Sequence, residues 1–432
     1  MRALISSAFQ FGLLQIEGKD MKIETVQGGI CAVKGVRAYG LKEGNKGLTL
    51  IEGKGVAVGA FTLNRIKAAP IRFTEQQLEN SGGILSAVIA NSGCANSFTG
   101  DEGMSNAEKM AELVSGSLGV RKEEVAVAST GHIGKQLDMA LIERQLGVVV
   151  KGLTAEEAGS TAAAKAIMTT DTFLKECAIR ITPHEEAKTE SRHKQQTDAT
   201  VVIGGIAKGS GMIFPQMNTA TMLCFIYTDA NLDAEALSSS LKDAVDNSFN
   251  MVVVDGDMST NDLVLLVSTG KGGEISEPEF KTGLNVVCTE LAKHMARDGE
   301  GATKLIELRV KGAASVSDAR EIARAILRSP LVKSAIFGER LDLTCGRIIA
   351  AVGSCTTADD VDPRVISISF KSNNKDDFLA VDTGVFTDLA GPAKDILNGK
   401  ELFIEVDMGV GEVETTAWGC DLTYDYVKIN VA

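Results

Sequence analysis

The chain has 432 residues, 44% of them hydrophobic, and a net charge of -13. That length allows two or three domains or one large one, and the acidic balance argues against a nucleic-acid partner, which wants a basic face. The eight cysteines include no C-x-x-C pair and the four histidines no H-x-x-x-H spacing, so reduced thiols in a cytoplasmic protein are expected, and no metal centre.

No apolar run reaches the roughly 18 residues of a membrane span. Residues 1–20 carry one early Arg and an apolar segment broken by Gln10 and Gln15. They make a poor signal peptide and read as an extension. Between 22 and 90, KGLTLIE, GVAVGAFTL and GILSAVIA read as strands with Gly-rich turns between them. The run NSGCANSFTG at 91–100 is either a small-residue loop that can approach a ligand or an ordinary turn. SNAE at 105–108 has capping-box spacing, and Met110, Leu113, Val114 and Leu118 mark one helical face.

The strand EEVAVAS leads to Thr130 and Gly131, a pair able to turn a hydroxyl and a backbone N–H toward a developing oxyanion. Strand–Thr–Gly turns are also common. A helix capped by TAEE at 154–157 ends in TTDT at 169–172. Such hydroxyls either bind a polar substrate or bond their own backbone. Residues 183–200 are charged and nearly free of apolar side chains, as in an exposed loop or hairpin tip.

Next come the strand VVIGGIA and the run KGSGMIFPQMNTATML at 208–223. It lacks the spacing of a phosphate-binding P-loop. Lys208 either holds a carboxylate or is solvated. Thr221 opens an apolar strand, which suits a Thr that cuts its own chain. Its hydroxyl attacks the Ala220 carbonyl, and hydrolysis of the ester leaves Thr221 with a free α-amine. With a pKa of about 7.7–8.0, that amine can serve as the hydroxyl's base. The plainer reading is that Thr simply favours strands.

Residues 233–249 and 277–297 read as helices, with strands MVVVD and DLVLLVS around GDMSTND at 256–262. In RDGEGATK at 297–304, Glu300 either meets a substrate amine or is merely exposed. A strand at 304–310, a helix over 317–327 and the strands RVISISF, LFIEVDM and YDYVKINV complete the chain. Strand pairs alternating with helix pairs point to a layered α/β sandwich. The missing G-x-G-x-x-G turn disfavours a Rossmann fold.

The stretches FTLNRIKAAP, ANSGCANSFTG, ASTGHIG, AIMTTDT, KGSGMI, ATML, VDGDMSTND, ARDGEGATK, SPLVKSAIFGE, GRIIAAVG and TAWGCDLTYDYVKIN follow in one order. In this the chain resembles the ornithine acetyltransferase (glutamate N-acetyltransferase) family. The resemblance implies an α-β-β-α sandwich of the N-terminal-nucleophile type with a smaller C-terminal α/β domain. It implies self-cleavage between Ala220 and Thr221 into residues 21–220 and 221–432, behind the extension 1–20. Thr221 is then the nucleophile, Thr130 and Gly131 the oxyanion hole, and Thr169, Lys208, Thr221, Glu300 and Asn430 the substrate contacts. The implied substrates are N-acetylornithine and glutamate, with acetyl-CoA as a possible second donor and no bound cofactor. The implied assembly holds two copies of each fragment.

The chain departs from the family in places. PQMNTATML at 215–223 is two residues longer than the family's P-N-M-A-T-M-L. Thr219 therefore keeps the family's spacing from Lys208, and Thr221 its spacing from Thr228 and Asp229. The preceding Ala and the strand register select Thr221. His132, Phe173, Leu174, Met258 and RLDLTCGRI at 340–348 also differ, and the family's final Tyr-x-Thr is absent. Two rivals stand beside acetyl transfer: a self-processing aminopeptidase or amidohydrolase that discharges the acyl group to water, and an uncleaved relative that only binds.

Overall fold

The computed structural model describes residues 15–17, 21–183, 200–214, 217–218, 222–355, 361–372, 377–389 and 391–431. Within them the first sheet has eleven strands. Its main path runs Gln15–Glu17, Met21–Thr25, Lys175–Pro183, Val201–Lys208, Leu223–Thr228, Leu263–Ser268, Lys46–Thr62, Ile84–Cys94, Val125–His132. The strand Lys46–Thr62 is long enough to serve two layers. Its residues 47–56 pair with Ile84–Cys94, and residues 56–61 pair with Leu263–Ser268. A register shift between Glu52 and Gly55 interrupts the first of these pairings.

Period-two alternation then builds the layers. Val88, Ala90, Ala126 and Ala128 face Phe225, Tyr227, Leu263 and Leu265 in a core between the two halves of the sheet. The intervening Ala87, Ile89, Val125 and Val127 pack outward on the helices Gly100–Leu118 and Met139–Gly152. On the opposite side Cys224, Ile226, Val264 and Leu266 pack on Ala234–Asn247 and Glu277–Arg297. The result is the expected α-β-β-α sandwich.

A second, seven-stranded sheet lies in the C-terminal part of the chain, centred on Leu305–Ala313 between Glu401–Asp407 and Val413–Cys420. The helix Val316–Arg328 covers one face, burying Ala319, Ile322, Ala323 and Ile326 against Ile306 and Leu308. All eight cysteines are unpaired, and seven are buried.

Several local expectations change. YDYVKINV is a helix, Tyr424–Val431, not a strand. The Thr423 hydroxyl accepts from the Asp425 N–H and starts it, and its apolar side chains stay exposed (Tyr424 78%, Val431 78%). The helix expected from Ser105 begins at Gly100, where the Thr99 hydroxyl donates to Asn96 Oδ1 instead. Thr154 precedes its helix, which starts at Glu157, and bridges to Ala38. Residues 69–80, inside a region read as strands and turns, form a helix with Pro70 in its first turn. The extension contributes an edge strand, because Gln15–Glu17 pairs antiparallel with Met21–Thr25. The charged stretch at 184–199 lies outside the described residues.

Candidate active site

Ala220 and Thr221 lie outside the described residues, so the candidate site is built from what surrounds Met222 and Leu223. Leu223 pairs with Lys208 on one side and with Leu263 on the other. The Leu263 N–H donates to the Met222 carbonyl at 2.9 Å. The strand that follows Thr221 is therefore held between the strands ending in Lys208 and beginning next to Asp262.

Lys208 is buried, at 4% exposure. Burial pushes its ammonium pKa down and Lys175 adds to that, while Asp171, Asp262 and Glu300 oppose it. Its Nζ lies 3.9 Å from Asp171 Oδ2. Asp171 accepts from Lys175 Nζ at 2.7 Å, from the Gly209 N–H at 2.7 Å and from the Thr169 N–H at 2.9 Å. Burial works to raise the Asp171 pKa, but the two ammonium groups and these donors outweigh it and hold the carboxyl well below the usual range. Thr169 is thus placed by its backbone, with its side chain at the surface.

Glu300 reaches the same loop. Its N–H donates to the Ser210 carbonyl at 2.9 Å. Its carboxylate lies over Gly211, where any Cβ would overlap it. Asn430 Nδ2 donates to Glu300 Oε2 at 2.6 Å, and the helix that carries Asn430 also brings Asn430 Nδ2 to the Tyr426 carbonyl at 3.0 Å. Farther along the loop, Asp255 accepts from the Met212 and Ile213 N–H groups at 2.5 and 3.0 Å. It thereby holds Met212 at a positive φ of 55°. Carboxylates at both ends fix the run from Gly209 to Ile213.

Thr130 and Gly131 end the strand Val125–His132, paired in parallel with Ser92 and Gly93. The register breaks at Gly93 and Cys94. Gly131 has φ 129°, and a Cβ there would run into the Gly93 backbone. Asn261 ties this strand end to the rest of the site. Its Nδ2 donates to the Ser129 carbonyl at 3.0 Å and to the Ala95 carbonyl at 2.6 Å. The neighbouring Asp262 is fully buried, with its pKa pushed well up by burial and drawn back by the Met222 backbone, by Ser259 and then by Lys208.

The structure thus brings Lys208, Thr169, Glu300 and Asn430 into one network, and Asn261, next to Asp262, holds Ser129, the residue before Thr130 and Gly131. Asp171, Lys175, Asp298, Asp255, Asn261 and Asp262 escaped the sequence reading. Asp171 stood inside TTDT, read only for its hydroxyls, and Asn261 and Asp262 inside a run read as the link between two strands. Among the described residues, no cluster of His, Cys, Asp and Glu is arranged to hold a metal ion, and no helix is long and apolar enough to cross a membrane.

The ArgJ family model matches residues 33–432. A glutamate N-acetyltransferase of Methanosarcina mazei is 48% identical over 416 residues, covering 94% of this chain and 99% of its own. An arginine biosynthesis bifunctional protein of Symbiobacterium thermophilum is 44% identical over 424 residues, with the same 94% and 99% coverage. A crystal structure of an arginine biosynthesis bifunctional protein from Bacillus halodurans is 36% identical, with a TM-score of 0.44, over 48% of this chain and 97% of that one. The motifs named above follow one another along almost the whole of that matched length, and on this evidence the chain belongs to the ArgJ family and is an acetyl-transferring enzyme.

Proposed function

We propose that the protein moves acetyl from N-acetyl-L-ornithine to L-glutamate in arginine biosynthesis, through an acetyl ester on Thr221. The observation that carries this reading is the placement of buried Lys208 opposite Leu223, with Glu300 acting on the same lysine. A cation and a carboxylate stand beside the strand that Thr221 opens, as a free amino acid requires at its two ends.

Processing comes first. Thr221 Oγ attacks the Ala220 carbonyl carbon, the peptide C–N bond breaks, and water hydrolyses the ester. The products are a carboxylate on Ala220 and an α-amine on Thr221. In turnover that amine takes the Thr221 hydroxyl proton while Oγ attacks the acetyl carbonyl of the donor. Thr130 and Gly131 stabilise the tetrahedral oxyanion, where one donor is worth about 3–4 kcal/mol. The C–N bond to ornithine breaks, and the departing amine takes the proton. The neutral α-amine of glutamate then attacks the acetyl ester and restores Thr221. No metal or bound cofactor enters this route. Acetyl-CoA serves as a second donor if its thioester reaches the same Oγ. The two fragments stay together, with two copies of each in the assembly, in the cytoplasm.

Intact mass spectrometry of the purified protein and of Thr221→Ala tests this. The expected result is two fragments that meet between Ala220 and Thr221, with the variant left whole and unable to acetylate glutamate. A cut before Thr219 would move the nucleophile two residues upstream. Acetylornithine consumption at the same rate with and without glutamate would favour the hydrolase instead. A whole wild-type chain without turnover would overturn the reading.

A further inference from the structure

Lys175 is fully buried between two carboxylates. Its Nζ lies 2.7 Å from Asp171 Oδ1 and 2.5 Å from Asp298 Oδ2, and all three side chains are 0–1% exposed. A lysine in such a place needs both partners, because each buried charge left unpaired is costly. With Lys208 the group holds two ammonium groups and two carboxylates, so its charges balance.

The two carboxylates hold different parts of the site. Asp171 carries the Thr169 and Gly209 N–H groups and faces Lys208. Asp298 caps the end of the helix Glu277–Arg297 and stands two residues before Glu300. It also accepts from the Thr172 N–H at 3.0 Å and from the Thr172 hydroxyl. The turn at 169–172 and the loop around Glu300 are thus joined twice, through the buried Lys175 ammonium and directly from Thr172 to Asp298. None of these contacts requires a substrate.

We infer that Asp171, Lys175 and Asp298 are positioning residues. They fix the spacing between Lys208 and Thr169 on one side and Glu300 and Asn430 on the other, and so set the length of amino-acid side chain that the site accepts. The inference rests on the reading above that these four residues hold the amino acid. A rigid pair of anchors discriminates between ligands that differ by one methylene, whereas anchors on loosened loops follow the ligand.

The test is calorimetry on the purified protein with three probes: L-ornithine, L-2,4-diaminobutyrate and L-lysine. The wild type is expected to prefer ornithine by about tenfold over either neighbour, within the 10–200-fold range for one methylene. Asp298→Asn keeps the shape and removes one charge, and should reduce that preference to about threefold or less. Lys175→Met should act in the same direction, and Lys175→Arg should restore most of the preference. If Lys175→Met does not fold, Asp298→Asn carries the test. Weakening of all three ligands by one factor, together with a lower Tm, would reduce the triad to a stabilising element and overturn the inference. So would an unchanged preference in Asp298→Asn, or a wild type that binds none of the probes. A wild type that binds selectively but transfers no acetyl would sink the proposed reaction alone.

Discussion

Gly131 owes its identity to two constraints at once. Its φ of 129° lies where L side chains strain, and the Gly93 backbone fills the space a Cβ would need. An alanine there must push apart two parallel strand ends at the Thr130 turn. Gly131→Ala is therefore expected to lower kcat about 100-fold or more, the cost of misplacing an oxyanion donor, with a Tm loss of only a few degrees. Steady-state kinetics on the folded variant decide it, and a kcat within twofold of wild type would remove this loop from the chemistry. His294 makes a separate prediction, on stability. It packs edge-on against Phe173 at 6.0 Å, and burial, with Lys175 next, pushes its pKa down to about 4 from 6.5. The unfolded chain thus takes up a proton near pH 6.5 that the folded chain refuses until about pH 4. Stability from this residue is complete above pH 6.5 and lost as the pH falls through that window, up to about 3 kcal/mol in all. Asp171, also depressed, contributes its acid loss lower, below the ordinary carboxylate pKa of 3.8. His294→Gln should flatten the fall of Tm between pH 6.5 and 4.5. An equally steep fall in the variant would assign the acid sensitivity elsewhere.

At the scale of elements, the strands of the sandwich were legible because their apolar residues come at strand spacing, in short continuous runs where both faces are buried, and each run meets a partner. VVIGGIA and DLVLLVS lie within or match Val201–Lys208 and Leu263–Ser268. The last element misled for the same reason. YDYVKINV places Val427, Ile429 and Val431 at alternate positions, like a strand, but strand formation needs an edge to pair with. Here the segment coils into a helix, started by the Thr423 cap and with Asn430 Nδ2 reaching back to the Tyr426 carbonyl. The site divides in a similar way. Thr130, Gly131 and Lys208 sit at strand ends, where a sequence shows a run stopping. Lys175 also stands at a strand end, yet the run there says nothing of its role. It is the first residue of the strand Lys175–Pro183, and it is meaningful only because Asp298 arrives from 123 residues away. Long-range charge pairing leaves no periodicity for a single sequence to display.

The whole molecule turns on where the strand Leu223–Thr228 lies. It is inside the sheet, antiparallel to Val201–Lys208 and parallel to Leu263–Ser268, which in turn pairs with Lys46–Thr62. A cut between Ala220 and Thr221 therefore separates neighbours in one sheet rather than two domains. The inner core confirms how closely the parts interleave, since Val202 and Ile206 pack with Leu223, Phe225, Tyr227 and Leu265. Burying side chains of this size contributes about 1.5–3 kcal/mol each. Four of them from the downstream part alone reach roughly 6–12 kcal/mol before any backbone hydrogen bond is counted. The processed fragments should accordingly co-elute in size-exclusion chromatography at micromolar protein and unfold in a single transition as denaturant rises. Fragments that separate in native buffer, or that melt in two steps with the upstream part retaining its sheet signal, would mean that residues 1–220 form a self-sufficient unit. That outcome is hard to reconcile with a sheet in which Val201–Lys208 would then be left with a bare edge along its whole length.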